Sequence, residues 1–289
     1  MSATTILEKP AAARIAPGYR DLVVQAGEAP AAQARLALAA RLAQASGGHL
    51  TAVLAQHPPH VPGAVRAEIG DMFLQSWRLQ ARDTAARVAA EVAKAGRAAG
   101  VEIEFRTVEG PSDTSLMLHA RHADVAVIGQ AADGDDPDQT RMIESLLFGA
   151  GRPVLIVPAR GRYETAGRHV MCAWNASRES ARAIADAMPL LRAADKVTVL
   201  SVDPDGAARR IAGADIALHL ARNGVEVTAS VTYTGDLAVG DAILNRAADL
   251  GADLLVMGGY GHSRAREAIF GGATRHVLDH MTLPVLMSH

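Results

Sequence analysis

The chain has 289 residues, of which 49% are hydrophobic and 21% are charged, and its formal net charge at pH 7 is −2. This length predicts about two domains, each large enough to bury a core without metals or disulfides. The charge balance excludes a general nucleic-acid binder, because there is no excess of lysine and arginine to neutralise phosphates. No membrane partner is expected either, since no apolar run approaches the ~20 residues that span a bilayer.

The start of the chain and its single cysteine indicate the compartment. The first residues include Glu8 and lack the apolar segment of a secretory signal. Cys172 cannot form a disulfide within the chain, and its apolar neighbours predict a buried core position. These features favour a cytoplasmic protein.

Short β-branched runs alternate with alanine-rich helical stretches after a leader at residues 1–18. In the first half we predict strands at 21–24, 50–54, 101–105, 125–128 and 154–157, and helices at 31–45, 65–99 and 112–122. In the second half we predict strands at 169–173, 197–202, 225–231, 254–257 and 284–287, and helices at 179–191, 207–222, 241–250 and 273–280. This alternation indicates right-handed βαβ units and parallel sheets with helices on both faces.

The two halves resemble each other in sequence. Residues 123–129 (ADVAVIG) correspond to residues 252–258 (ADLLVMG), and residues 153–155 (PVL) correspond to residues 284–286 (PVL). One duplication explains these matches, so we predict a first domain at 19–160 and a second at 168–289. Because the polar join between them is short, the domains should pack together as an intrachain pseudo-dimer.

A glycine-bearing segment follows the predicted strand at 254–257. Gly258 and Gly261 stand where the strand ends, and Gly271 and Gly272 stand where the last helix begins. In open parallel sheets, ligands bind outside the carboxyl ends of the strands. Glycines let backbone N–H groups approach an anion there, and a helix N-terminus adds further donors. The segment therefore predicts a phosphate-binding loop.

The spacing of Gly258, Gly261 and Gly271 resembles the ATP loop of universal stress proteins, G-x2-G-x9-G followed by Ser or Thr. The strand order and the closing Pro-Val-Leu strands of both halves are similar to that family as well. The resemblance covers residues 20–289. It implies two tandem flavodoxin- or Rossmann-like domains of the adenine nucleotide alpha hydrolase type. Each would be a five-stranded parallel sheet of order 3-2-1-4-5 with helices on both faces, and the two would pair through their last strands.

The resemblance also implies a site for ATP or another adenine nucleotide, with Mg²⁺ present only together with the nucleotide. The phosphates would lie on the loop glycines, and the base would lie beside the end of the first strand of the second domain. The implied site comprises Ala173, Trp174, Asn175, Val202, Met257, Gly258, Gly261, Gly271, Gly272, Ala273 and Thr274.

Two departures from the family pattern leave alternatives open at this site. Gly272 replaces the Ser or Thr after the third glycine, and Asn175 replaces the aspartate that typically ends the first strand. Trp174 could stack on a purine or fill the pocket. The second domain could therefore have kept nucleotide binding or lost it.

The first domain lacks this loop. After Gly129 the chain has aspartates at positions 133, 135, 136 and 138, and it has no G-x2-G spacing. These carboxylates would repel phosphate. Ala26 stands at the position of the strand-one aspartate. We predict a degenerate partner domain that supplies an interface.

Other candidate sites have simpler structural explanations. The acidic run at 133–138 lacks the spacing and distal glutamate of a calcium loop, so we interpret it as a solvated loop. His57 and His60 have no further zinc ligands nearby, and His276 and His280 are predicted on a helix surface. Ser177 is predicted to cap the next helix rather than to act as a nucleophile.

Two functional hypotheses follow. The first is a stress-response regulatory or binding module without catalytic residues, which could form a homodimer and bind a regulatory protein partner. The alternative is an adenine nucleotide alpha hydrolase-type enzyme with weak ATP hydrolysis or adenylation, for which His262, Arg264, Arg266 and Arg275 could supply charge. A two-component receiver is disfavoured, because neither predicted third strand ends in a phosphoacceptor aspartate.

Overall fold

The computed structural model describes residues 18–58, 63–131, 137–203, 213–235, 237–260 and 272–289, and for residues 63–71 it describes the backbone alone. The strands of the first half are β1 (Asp21–Gln25), β2 (His49–Gln56), β3 (Ile103–Glu109), β4 (Val125–Gly129) and β5 (Val154–Val157). Those of the second half are β6 (His169–Ala173), β7 (Lys196–Asp203), β8 (Val227–Tyr233), β9 (Leu254–Gly258) and β10 (Val285–Ser288). The helices are α1 (Pro30–Ser46), α2 (Gly63–Ala99), α3 (Ser112–Ala120), α4 (Pro137–Gly149), α5 (Arg178–Leu191), α6 (Ala214–Arg222), α7 (Val239–Leu250) and α8 (Ala273–His280).

One sheet runs through both halves of the molecule, in the order β3-β2-β1-β4-β5-β10-β9-β6-β7-β8. Within each half the neighbouring strands are parallel, and their order is third, second, first, fourth, fifth. This confirms the predicted fold class. The halves join where β10 pairs antiparallel with β5, with Leu286 opposite Leu155. The last strands thus make two five-stranded units into a single ten-stranded sheet.

The central strands are buried because helices cover both faces of the sheet. All five residues of β4 are buried, which explains why its sequence is continuously apolar rather than alternating. One core lies beneath α1, α2, α5 and α6, and it contains Leu38 and Ile184. The other lies beneath α3, α4, α7 and α8, and it contains Leu146 and Val277. Both cores include residues from both halves.

Helix α4 is an element that the sequence analysis missed. It begins at Pro137 and carries Asp138 in its first turn, so its start overlaps the acidic run that was interpreted as a loop. Proline at a first helical position and an acidic first turn are both favourable there. Ile143, Leu146 and Leu147 of this helix are buried at helical spacing.

Three further expectations can be compared with the structure. The third strand of each half begins later than predicted, at Ile103 and Val227. Helix α6 begins at Ala214, and the earlier part of the predicted helix, 207–212, lies outside the described residues. Cys172 is completely buried, as predicted. None of the helices in the described ranges combines the length and apolarity that crossing a membrane requires.

Candidate nucleotide site at the carboxyl ends of β6 and β9

The candidate site lies where the chain leaves β6 and β9 for opposite faces of the sheet. These two strands are parallel neighbours. The helix after β6, α5, packs on one face, and the helix that follows β9 and the loop, α8, packs on the other. A crevice opens at such a topological switch point, outside the carboxyl ends of the strands. The sheet thereby brings the predicted residues 173–175 and 257–258 to one place.

Gly258 ends β9 directly against the first turn of α5. A Cβ atom on Gly258 would lie 2.6 Å from both the carbonyl carbon of Glu179 and the backbone nitrogen of Ser180. Side chains cannot be accommodated at that distance, so the glycine is what lets the helix and the strand approach each other. The contacts seen here give Gly258 a packing role, and its contact with phosphate stays a prediction.

The start of α5 is capped by its own polar residues. The side-chain oxygen of Asn175 accepts a hydrogen bond from the backbone N–H of Ser177 at 3.1 Å. The Ser177 hydroxyl oxygen accepts one from the backbone N–H of Ser180, also at 3.1 Å. This confirms the predicted cap. Between them, Ala176 has a φ of 60°, in the left-handed region.

Glu179 places a negative charge in the first turn of α5. Only 3% of this residue is exposed, and its carboxylate forms an ion pair with Arg178. Burial alone would raise the pKa of the Glu179 carboxyl, but hydrogen bonds from the Arg178 side chain and from its own backbone N–H outweigh burial and hold the pKa below its ordinary value. A carboxylate at this end of the helix compensates the positive end of the helix dipole.

The two ends of the glycine loop are tied together. The backbone N–H of Tyr260, just before the loop, donates to the hydroxyl oxygen of Thr274 in the first turn of α8 at 3.2 Å. The N–H of Gly259 donates to the Ser288 carbonyl oxygen at 2.9 Å, which continues the pairing of β9 with β10. Tyr260 has a φ of 52°, so the chain turns sharply as it leaves the strand. The other two loop glycines of the predicted site, Gly261 and Gly271, lie outside the described residues.

The N-cap residue of α8 has no side chain with which to cap the helix. Gly272 is its N-cap residue, with extended backbone angles, and its carbonyl accepts hydrogen bonds from Arg275 and His276. The N–H groups of Ala273 and Thr274 therefore lie at the positive end of the helix dipole. Arg275 lies near the carboxylate of Asp279, one turn further on, at 3.6 Å.

The apolar residues of the predicted site divide between the two faces of the sheet. Ala173, Val202 and Met257 belong to the core beneath α7 and α8, the face on which the loop returns. Trp174 packs against the other core, beneath α5 and α6. Consecutive strand residues point to opposite faces, so Ala173 and Trp174 could not both face one ligand surface. That alternation is a signal the sequence analysis could have used.

Ser201 is a residue of this region that the sequence analysis missed. It is 4% exposed, and its hydroxyl is one of two enclosed side-chain atoms without a hydrogen-bond partner among the described residues. A Cβ on Gly213, whose φ is 85°, would lie 3.0 Å from this hydroxyl and 3.7 Å from the Trp174 ring. Only the arrangement of α6 on β7 brings these three residues together.

Residues 167–289 match the universal stress protein family. The second half is a universal stress protein domain. The whole chain superposes on a universal stress protein from Archaeoglobus fulgidus DSM 4304 with a TM-score of 0.70, at 14% identity, over 93% of this chain and 96% of that one. It also superposes on a functionally unknown protein from Pseudomonas aeruginosa PAO1 with a TM-score of 0.54, at 17% identity, over 93% of this chain and 92% of that one. These likenesses show the fold of both halves. A search of the curated proteins finds no match to this sequence.

In the first half, polar side chains line the crevice that corresponds to the site of the universal stress protein domain. A Cβ on Gly129 would lie 2.5 Å from Nη1 of Arg35. The Gln139 amide nitrogen donates to the Gly129 carbonyl at 2.6 Å, and the Gly129 N–H donates to the Gln25 side-chain oxygen at 3.2 Å. The Gln25 amide nitrogen in turn donates to the Gln139 side-chain oxygen at 3.0 Å.

His276 of α8 is half-buried rather than on the helix surface as predicted, whereas His280 is exposed as predicted. His276 lies against Gly240 at the start of α7, and its Nε2 is 2.7 Å from the Asp241 carboxylate. His280 stacks on the His276 ring at 4.3 Å. His276 therefore links α8 to α7, and the described residues contain no cluster of His, Cys, Asp or Glu that could hold a metal.

Proposed function

We propose that the universal stress protein domain binds an adenine nucleotide at the carboxyl ends of β6 and β9, as the ligand of a stress-response regulatory module. The observation that carries the proposal is the hydrogen bond that links the start of the glycine loop to a helix with glycine as its N-cap residue. The Thr274 hydroxyl accepts from the Tyr260 N–H, and Gly272 has no side chain with which to cap α8. Backbone donors and a positive helix end face the same crevice.

The phosphates would be bound at α8 rather than at α5. The N-terminus of α5 is occupied by its own Asn175 and Ser177 caps, and the buried Glu179 carboxylate lies in its first turn. That carboxylate would repel a phosphate. The start of α8 has neither feature, so Gly272, Ala273 and the loop glycines are the phosphate-binding groups of the proposal.

The base would lie on the face of the sheet that carries the loop. Ala173, Val202 and Met257 form an apolar surface there, at the ends of three neighbouring strands. Small-molecule sites are usually lined by apolar groups with a few placed polar ones. Trp174 supports this surface from the opposite face instead of stacking on the purine.

A binding module is favoured over an enzyme by the partners of the nearest titratable groups. Arg275 lies beside Asp279, and His276 lies beside Asp241, so both have structural partners. The proposal includes Mg²⁺ only with the nucleotide, a cytoplasmic location, a regulatory protein partner and the capacity to form a homodimer. The alternative, weak ATP hydrolysis or adenylation, would need groups from the loop itself.

A calorimetric titration of the whole chain with ATP and Mg²⁺ tests the proposal. The variant Gly261→Asp adds a carboxylate to the loop, and Ala132→Asp adds one at the corresponding position of the first half, 129 residues earlier. We expect saturable binding by the native chain and by Ala132→Asp, and loss of binding in Gly261→Asp.

Binding that survives in Gly261→Asp, or a native chain that does not bind, would contradict the proposed site. ATP turnover at an enzyme-like rate that Gly261→Asp abolishes would favour the enzyme alternative.

A further inference from the structure

A buried arginine stands in the ligand crevice of the first half. Arg35 of α1 is only 7% exposed, and its guanidinium lies between the carboxyl ends of β1 and β4. Its Nε donates to the Gln25 carbonyl oxygen at 2.9 Å. Its Nη1 lies against the backbone of Gly129, the residue that corresponds to Gly258. The guanidinium thus occupies the switch point where open parallel sheets bind ligands.

Arg35 has no countercharge within the described part of the chain. It takes part in none of the ion pairs formed there. Burial lowers the pKa of the Arg35 guanidinium to about 10, so it stays protonated at pH 7. A cation withdrawn from water without a partner is costly, and buried charges in folded proteins are normally paired.

The Nη donors of Arg35 make no hydrogen bond to the described residues. The hydrogen bond that Arg35 does form there is from Nε to the Gln25 carbonyl, and the residue keeps 7% of its surface exposed. Gln25 and Gln139 hydrogen-bond to each other and to Gly129, and they wall the crevice. The guanidinium is the group left to bind a ligand.

We propose that Arg35 forms an oxyanion-binding site in the first half, between the carboxyl ends of β1 and β4. The guanidinium fork matches the two oxygens of a carboxylate or of a phosphate group. The ligand class is therefore a small oxyanion, such as a carboxylate or a phosphate. This site is separate from the nucleotide site and does not depend on it.

Thermal unfolding of the whole chain tests the site. Inorganic phosphate or acetate replaces chloride at constant ionic strength. Arg35→Met keeps a long apolar side chain and removes the guanidinium group. The matched control is Arg41→Met on the same helix, because the Arg41 guanidinium donates to the backbone carbonyls of Tyr163 and Glu164.

We expect a ligand that binds the folded state to raise the Tm of the native chain and of Arg41→Met. In Arg35→Met the apparent affinity should fall by about 10- to 100-fold, the range for hydrogen bonds to a charged group. A response that persists in Arg35→Met would mean an adventitious ion only. A native chain that does not respond to either oxyanion beyond chloride would overturn the proposal.

A second measurement does not depend on the folding of Arg35→Met. Arg35→Lys keeps the charge but not the fork, and we expect it to bind the oxyanion more weakly than the native chain. In the native chain, NMR of the arginine Nε–H groups should show one signal that shifts with phosphate or acetate and is absent in Arg35→Lys. A shifting signal that remains in Arg35→Lys would assign the oxyanion to another arginine and overturn the proposal.

Discussion

Ala176 shows how a single residue can be held in an unfavourable backbone conformation. Ala176 has a φ of 60° and lies between Asn175 and the N-cap residue Ser177. The hydrogen bonds of both neighbours maintain this conformation. A Cβ in the left-handed region costs about 1–2 kcal/mol. Glycine avoids that cost but loses about 0.5–1 kcal/mol of additional backbone entropy on folding.

We therefore expect Ala176→Gly to raise the free energy of unfolding by about 0.5–1 kcal/mol, measured by urea denaturation. The matched control is Ala181→Gly in the interior of α5, which should lower stability by about 1 kcal/mol. Equal losses in both variants would show that Ala176 is not strained.

At the scale of elements, helix α4 of the first half supports the glycine loop of the second half. The Phe148 ring lies 5.3 Å from the Tyr260 ring and 4.8 Å from the His289 ring. The Nδ1 atom of His289 is 3.0 Å from the Gly259 carbonyl oxygen. Gln130 adds a hydrogen bond from the first half to the Leu278 carbonyl of α8, at 2.7 Å. The first half thus packs against Gly259 and Tyr260, from which the glycine loop begins, and against helix α8.

If the loop binds the nucleotide, Phe148→Ala should weaken that binding by up to about tenfold, because an aromatic pair contributes about 0.5–1.5 kcal/mol. Calorimetric titration with ATP measures the change. The control is Phe105→Ala, an identical truncation on β3 at the far edge of the first half, which should leave the affinity unchanged. An unchanged affinity in Phe148→Ala would mean that α4 does not stabilise the loop for binding.

At the scale of the whole molecule, the pairing of β5 with β10 joins the two halves into one sheet. Leu155 and Leu286 face each other in this strand pair, and both are completely buried. Both cores also continue from one half into the other. A loss of packing in one half should therefore lower the stability of the other half.

Leu155→Ala tests this, because a buried leucine-to-alanine change costs about 2–5 kcal/mol. Cys172 in the other half reports unfolding: it is completely buried, and burial raises the pKa of its thiol to about 12. We expect Leu155→Ala to lower the urea midpoint at which Cys172 reacts with iodoacetamide. Leu79→Ala, at a position 62% exposed, is the control. An unchanged midpoint in Leu155→Ala would mean that the halves unfold independently.

Local pattern was sufficient to predict most of the fold. The central strands are apolar throughout because both of their faces are buried. The similar sequences that end at Gly129 and Gly258 indicated the duplication. Helix α4 was missed because its first turn carries the charge of the acidic run, and a favourable helix start looks like a loop when only composition is considered. The cap at Ser177 was predicted because capping is a contact between near neighbours in sequence.

The sequence by itself determined the order of the strands and of most helices, and it predicted the repeat and the place of the glycine loop, since each depends on residues close together in the chain. The tertiary structure alone decided what Gly258 and Arg35 contact. The atoms nearest to Gly258 belong to Glu179 and Ser180, far earlier in the sequence. Nothing in the composition of α1 separates Arg35 from Arg41, yet one is buried over Gly129 and the other binds the join between the halves. Which side of a helix meets the sheet, and at what distance, is set by packing between elements, and spacing along the chain does not encode it.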